Sequence, residues 1–133
     1  MYYFAYGSNL SKKQMKEDYP DSKPMFAATL PNYKLVFVGW VRRWRGGVAS
    51  IKSYRGEKVP GAVYQVSEGD LRRLDKSEGY PDSYHRLNVT VFDEDGEPVE
   101  TVAYIKFGQL EETQPSREYL AIIQQGYRDW AIV

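Results

Sequence analysis

The sequence contains no cysteine and only one histidine, His85. Without cysteine the chain cannot form disulfides, use a thiolate nucleophile or bind zinc through sulfur. One histidine cannot supply the ligands of a multi-histidine metal site. His85 also alternates with apolar residues, which predicts a half-buried hydrogen-bonding residue rather than a catalytic base. These absences exclude thiol catalysis and the commonest zinc sites.

Long hydrophobic runs and an excess of one charge are also missing. The longest apolar run, residues 35–41, is far shorter than the roughly 20 residues of a membrane-spanning helix. No basic residue precedes the apolar N-terminal stretch, as it would in a secretory signal. Lysine and arginine number 18, and aspartate and glutamate also number 18. We therefore expect one cytoplasmic domain over residues 1–133, with no membrane partner.

Tyrosine is the residue that stands out among those present. The chain has 12 tyrosines, more than its 5 phenylalanines and 3 tryptophans together. A tyrosine buries its ring while its hydroxyl donates and accepts hydrogen bonds. This abundance indicates a polar pocket or a hydrated interface.

Local patterns predict strands separated by three short helices. A helix follows the capping pair Ser11 and Gln14, a second runs from Ser67 to the terminating Gly79, and a third starts at Ser116. The predicted strands cover residues 2–6, 33–41, 48–54, 61–66, 86–92 and 99–107, with Gly46 and Gly47 between the second and third. The irregular order of strands and helices predicts an α+β fold with a small, mixed, barrel-like β-sheet and short flanking helices.

The first candidate site is the loop that joins the first strand to the first helix. It consists of Tyr6, Gly7, Ser8, Asn9 and Leu10. Backbone N–H groups in such a loop can hold an anion or a developing oxyanion, and glycine permits close approach. An ordinary strand-to-helix turn explains the same residues, and spacing alone favours that interpretation.

Glu78 is the second candidate because it lies in the last turn of a predicted helix. A carboxylate there faces the negative end of the helix dipole, and Asp75 lies three residues earlier on the same side. Both effects raise the pKa of a carboxyl group and suit a general base that works near neutral pH. The alternative is that both residues are hydrated surface acids.

A third feature alternates aromatic and basic residues: Trp40, Arg42, Arg43, Trp44 and Arg45. Such a strand could stack bases and neutralise phosphates in single-stranded nucleic acid. The zero net charge and the acidic stretch at residues 93–112 argue against that function. We expect this segment to be an exposed strand or loop that binds no nucleic acid, and we expect the acidic residues 93–97 to form a hairpin turn rather than a calcium site.

Five segments in the same order resemble the gamma-glutamylcyclotransferase family. They are Tyr6-Gly7-Ser8-Asn9-Leu10, residues 44–51, residues 61–64, residues 74–79, and Pro115-Ser116 with Tyr119, Ile123 and Gly126. The resemblance extends over nearly the whole chain. It implies a small mixed barrel-like sheet with helices.

The resemblance also implies a reaction and the residues that perform it. A gamma-glutamyl amide is cleaved by internal attack of its α-amine, which releases 5-oxoproline and an amine or amino acid without cofactor or metal. Glu78 is similar to the family's catalytic acid/base, and the substrate-binding residues implied are Tyr6, Gly7, Ser8, Asn9, Leu10, Tyr84 and Tyr119. Tyr84 is similar to the tyrosine that follows the catalytic glutamate in the family. The segment between them, residues 79–83, varies among relatives.

Other functions remain open at the level of sequence. A non-catalytic small-molecule-binding protein on the same fold would keep the loop and the tyrosines without needing Glu78. A nucleic-acid-binding module would use residues 40–45. Within the enzyme interpretation the leaving group stays open, because an amino acid, a peptide, a polyamine, a lysine side chain or an antibiotic intermediate all fit.

Overall fold

The computed structural model describes residues 1–79, 84–106 and 110–132 and contains a closed five-stranded barrel. The strands are β1 Tyr2–Ala5, β2 Lys23–Val41, β3 Gly46–Gln65, β4 Tyr84–Asp93 and β5 Pro98–Lys106. The helices are α1 Lys12–Asp18, α2 Glu68–Glu78 and α3 Arg117–Asp129, and a short 3-10 turn spans Ser8–Leu10. The order around the barrel is β1-β3-β2-β4-β5, and β5 pairs with β1 in parallel at Tyr3 and Val102. The predicted α+β, barrel-like fold is confirmed.

Two long strands, β2 and β3, form the largest part of the sheet. The two strands pair antiparallel. Lys23 lies opposite Gln65 at one end of the pair, and Val41 lies opposite Gly46 at the other. The sequence predicts only the second half of β2, because Pro24 and Pro31 weaken the strand signal of its first half. Predicted strand residue Phe107 lies outside the described residues.

The hairpin turn between β2 and β3 lies at residues 42–45, whereas the sequence analysis places it at Gly46 and Gly47. Both glycines belong to β3, so that prediction is wrong. A Cβ atom on Gly46 would lie 2.9 Å from the carbonyl oxygen of Gln114 and from the nitrogen of Ser116. The glycines therefore allow the segment before α3 to pack against the strand.

Side chains cap all three helices, as predicted for the first two. Ser11, Ser67 and Ser116 each accept a hydrogen bond from the backbone nitrogen three residues later. Gly79 ends α2 in the left-handed conformation, with φ of 69°. Because α2 stops there, Glu78 is its last residue.

The core fills the barrel and extends beneath the 3-10 turn. Leu10 is fully buried, and its carbonyl oxygen accepts a hydrogen bond from Trp130 Nε1 at 2.9 Å. A Cβ atom on Gly126 would lie 2.9 Å from the backbone carbon of Leu10, so this glycine lets α3 approach the turn. The loop after β1 is thereby held at one end of the barrel.

No helix in the described part of the chain is long and apolar enough to span a membrane.

Candidate functional site

A cavity of about 510 Å³ opens at the end of the barrel where β1 and α2 finish. Seven of the eight residues predicted for a site line it: Tyr6, Gly7, Ser8, Asn9, Glu78, Tyr84 and Tyr119. These residues come from β1 and its loop, the end of α2, the start of β4 and the first turn of α3. Leu10 does not line the cavity, because its side chain is apolar and packs into the core instead.

Six tyrosines of the described residues line this cavity, which accounts for half of the chain's unusual tyrosine content. They are Tyr3, Tyr6, Tyr19, Tyr84, Tyr104 and Tyr119. Burial raises the pKa of each hydroxyl, and the negative charge of Glu78 raises it further. The hydroxyls therefore remain protonated near neutral pH and serve as hydrogen-bonding groups rather than bases.

Glu78 is a cavity carboxyl group whose pKa lies well above its ordinary value. Loss of hydration raises the pKa of Glu78 from its ordinary value of 4.5 to about 7, and the positive charge of Lys106 partly opposes the rise. A carboxyl group with such a pKa takes up and releases protons readily at neutral pH. The direction predicted from the sequence is confirmed.

The cause of the raised pKa differs from the one that the sequence suggested. Asp75 is not among the groups that shift the pKa of Glu78. Its Oδ1 instead accepts a hydrogen bond from the Tyr104 hydroxyl and lies 3.5 Å from Arg86 Nε. Asp75 therefore holds α2 against β4 and β5, which fixes the helix end that carries Glu78.

Ala49 of β3 connects two of the cavity tyrosines. Tyr119 Oη accepts a hydrogen bond from the backbone N–H of Ala49 at 2.9 Å, and the Tyr84 hydroxyl donates to the carbonyl oxygen of Ala49 at 3.1 Å. A Cβ atom on Gly7 would lie 3.1 Å from Ala49 Cβ and 3.3 Å from Tyr119 Oη. Gly7, Ala49 and the two tyrosines therefore form one closely packed wall.

Polar side chains fix the loop that follows β1. Asn9 Nδ2 donates to Tyr3 Oη at 3.0 Å, and Asn9 Oδ1 accepts from Gln14 Nε2 at 2.8 Å. Gln14 Nε2 also lies 3.2 Å from Ser8 Oγ. The Gln14 side chain thus braces the loop and does not complete a capping box with Ser11. The braced loop presents Gly7 and Ser8 to the cavity.

Several lining residues were not singled out by the sequence analysis: Tyr3, Tyr19, Tyr104, Lys76, Ser77 and Lys106. Lys76 and Ser77 lie in segment 74–79 of the family resemblance, beside Glu78. The three tyrosines had only the high tyrosine content as a signal, and Lys106 had none. His85 is half-buried, as predicted, and does not line the cavity.

The basic and aromatic segment lies at the mouth of the cavity. Arg42, Arg43 and Arg45 are exposed, which confirms the predicted surface location. Trp40, Arg42, Arg43 and Trp44 line the opening, a position that the sequence did not predict. The guanidinium carbon of Arg43 lies 4.8 Å from the centre of the Trp44 ring, which packs against Tyr119.

Among the described residues, no group of three acidic or histidine side chains could hold a metal ion.

Comparison with known proteins gives one consistent family. A family model described as gamma-glutamyl cyclotransferase, AIG2-like, matches residues 3–130. Gamma-glutamylcyclotransferase from Bos taurus is 31% identical over 132 residues, which cover 96% of this chain and 70% of the relative. A putative gamma-glutamylcyclotransferase from Methanocaldococcus jannaschii is 30% identical over 108 residues, which cover 77% of this chain and 82% of the relative.

Solved structures agree with this result. A structure described as gamma-glutamyl cyclotransferase has a TM-score of 0.94 at 28% identity, covering 99% of this chain and 80% of that one. A yeast gamma-glutamyl cyclotransferase specific to glutathione has a TM-score of 0.70 at 13% identity, covering 100% of this chain and 89% of that one. The second comparison shows the shared fold alone.

Proposed function

The chain belongs to the gamma-glutamyl cyclotransferase, AIG2-like family and is accordingly an enzyme that cyclises gamma-glutamyl amides to 5-oxoproline, and we propose that Glu78 is its general acid/base. The observation that supports this role is the raised pKa of Glu78, about 7, in a tyrosine-lined cavity. A non-catalytic binding protein would have no need of a carboxyl group adjusted to neutral pH. A cytoplasmic location is part of the same proposal.

The proposed mechanism uses one carboxyl group twice. Ionised Glu78 removes a proton from the α-ammonium group of the substrate, and the freed amine attacks the γ-carbonyl carbon of the same molecule. The new C–N bond closes the five-membered ring and produces a tetrahedral intermediate with a negatively charged oxygen. Protonated Glu78 then gives its proton to the leaving nitrogen, and the amide C–N bond breaks. The regenerated Glu78 carboxylate takes the second proton from the ring nitrogen and passes it to the free amine, so that 5-oxoproline and an ammonium group are released.

The cavity contributes by holding the substrate in a folded conformation. Internal attack requires the α-amine to lie close to the γ-carbonyl, and a rigid site that imposes this geometry lowers the entropic part of the barrier. The braced loop at Gly7 and Ser8 is the proposed binding surface for the γ-carbonyl oxygen as negative charge develops on it. The hydroxyls of Tyr84 and Tyr119 fix the adjoining part of the same wall through Ala49.

Product analysis with the purified protein tests the proposed function. Gamma-glutamyl amides of an amino acid, a peptide, a polyamine and lysine are incubated with the protein, and 5-oxoproline and the released amine are quantified. We expect equal amounts of the two products from at least one compound. The matched control substrate carries an N-acetyl group on the α-nitrogen, which prevents ring closure, so it should give no product. Release of glutamate instead of 5-oxoproline would show hydrolysis and contradict the proposal.

A further inference from the structure

Lys106, the last residue of β5, carries a half-buried positive charge in the cavity. It pairs with Tyr84 of β4, and its Nζ lies 4.8 Å from the centre of the Tyr84 ring. Its backbone nitrogen donates to the buried Ser50 Oγ at 3.0 Å. The ammonium group of Lys106 therefore lies beside the ring of Tyr84, whose hydroxyl donates to Ala49 of the cavity wall.

The described part of the chain provides no acidic partner for this lysine. The three ion pairs found there join Lys52 to Glu112, Arg73 to Asp70 and Arg86 to Asp75. Lys106 is close enough to Glu78 for its charge to act on that group, but the two form no ion pair. A cation that loses hydration needs compensation, and the face of one tyrosine ring supplies only part of it.

The other basic residues of the cavity have a different environment. Arg42, Arg43 and Lys76 are exposed, so water hydrates their charges. Lys106 alone among the cavity's described lysines and arginines is half-buried. Lys106 is therefore the cavity cation that gains most from a bound anion, and it is the one whose charge acts on Glu78.

The substrate chemistry places an anion at this position. The α-amine and the α-carboxylate of a gamma-glutamyl group are attached to the same carbon, so the amine nitrogen lies roughly 2.5 Å from the carboxyl carbon. If Glu78 contacts the amine, the α-carboxylate must lie beside Glu78 as well. We propose that Lys106 binds the α-carboxylate of the gamma-glutamyl group, an inference that rests on the proposed function.

This role divides the recognition of the substrate between two surfaces. Lys106 holds the α-carboxylate, which leaves the loop at Gly7 and Ser8 to bind the γ-carbonyl oxygen. The α-amine is then oriented between the two, beside Glu78. Lys106 becomes the residue that distinguishes gamma-glutamyl amides from amides of the same length that lack the carboxylate.

A pair of substrates separates carboxylate binding from other effects of the lysine. A 4-aminobutanoyl amide is the gamma-glutamyl amide without its α-carboxylate, and its ring closure gives 2-pyrrolidinone instead of 5-oxoproline. Steady-state kinetics are measured on both substrates for the wild type, Lys106→Gln and Lys106→Arg. Lys58→Gln, an exposed lysine of β3 outside the cavity, is the matched control.

For Lys106→Gln we expect a loss of about 10- to 100-fold in kcat/KM with the gamma-glutamyl amide, mostly through KM, because a charge-assisted hydrogen bond is lost. The loss with the 4-aminobutanoyl amide should be less than about threefold, since that substrate has no carboxylate to bind. Lys106→Arg should recover part of the affinity. Inhibition by 5-oxoproline should weaken in Lys106→Gln, while inhibition by 2-pyrrolidinone stays unchanged.

Other outcomes would overturn the inference. Equal losses on both substrates, with a shifted pH profile of kcat, would mean that Lys106 acts through Glu78. Unchanged kinetics on both would mean that the lysine binds no substrate group. If the wild type turns over neither substrate, the affinity for 5-oxoproline is measured directly by calorimetric titration. An affinity for 5-oxoproline that is unchanged in Lys106→Gln would then overturn the inference. Absence of 5-oxoproline formation by the wild type would contradict the proposed function instead.

Discussion

Tyr119 Oη accepts a hydrogen bond from the backbone N–H of Ala49 at 2.9 Å, which joins α3 to β3 beside the cavity. The two residues are 70 positions apart and both are buried. This bond positions Tyr119 against Gly7 and at the same time satisfies a buried donor of the strand. The wall of the cavity is therefore also a part of the core.

Replacing Tyr119 by phenylalanine should destabilise the protein. The substitution removes the oxygen that accepts from the Ala49 N–H, and an unsatisfied buried donor costs about 1–3 kcal/mol. Urea unfolding measures the change. Tyr127→Phe is the matched control on the same helix, because its hydroxyl makes no hydrogen bond within the described chain, and it should change stability by less than about 0.5 kcal/mol. Equal effects of both substitutions would contradict the role of this bond.

Gly7→Ala should reduce activity through crowding of the same wall. The added Cβ would lie 3.1 Å from Ala49 Cβ and 3.3 Å from Tyr119 Oη, so the loop or the tyrosine must move. Small displacements of a catalytic arrangement are costly, and we expect kcat/KM to fall about 10- to 100-fold.

Gly69→Ala is the control for this prediction. It adds the same methyl group to α2, where the nearest atoms lie 3.7 Å away, and it should preserve kcat/KM. Wild-type activity of Gly7→Ala would show that close packing at Gly7 does not support catalysis.

The raised pKa of Glu78 predicts a specific dependence of stability on pH. Folding raises the pKa of this carboxyl from 4.5 to about 7, so the folded state disfavours its ionised form. The protein therefore loses stability from this group as pH rises from about 4.5 to about 7, and the loss is complete above that range. Glu78→Gln has no such charge, and it should be more stable than the wild type at pH 8 by about 1–3 kcal/mol, with a smaller difference at pH 5.

Urea unfolding of both proteins across this pH range measures the difference. Glu68→Gln, an exposed position in the first turn of the same helix, should show no such pH-dependent gain. A Glu78→Gln difference that is the same at pH 5 and pH 8 would show that folding leaves the Glu78 pKa unchanged.

The sequence predicted the features that depend on neighbouring residues. Ser11 and Ser67 cap their helices because a capping bond spans three residues, and Gly79 ends α2 because of its own backbone conformation. The hairpin of β4 and β5 followed from alternation of apolar residues. These local signals, together with the family resemblance, were sufficient for the fold and for the position of Glu78 at the end of α2.

The sequence could not predict contacts between distant segments. Lys106 meets Ser50 at a separation of 56 positions, and Tyr6 donates to the Tyr104 carbonyl at a separation of 98. Gly46 and Gly47 read as a turn, but they are strand residues because another segment packs on them. The position of residues 40–44 at the cavity mouth likewise depends on closure of the barrel.

Binding of single-stranded nucleic acid by the basic segment is predicted to be weak. Arg42, Arg43 and Arg45 are exposed, but so few cations on a chain of zero net charge give an affinity that falls steeply with salt. Fluorescence titration with single-stranded RNA and DNA at physiological ionic strength should show no saturation below micromolar concentration. Tight binding that disappears when the three arginines are replaced would support the nucleic-acid alternative.

The most direct test of the account is the rate of 5-oxoproline formation by Glu78→Gln under single-turnover conditions. Glutamine cannot accept the proton of the α-ammonium group, and a positioned general base contributes about 100- to 10,000-fold to the rate. We predict a loss of that size in a folded variant, while Glu68→Gln, on the same helix but outside the cavity, retains the wild-type rate. Formation of 5-oxoproline by Glu78→Gln at the wild-type rate would contradict the assignment of Glu78 as the acid/base.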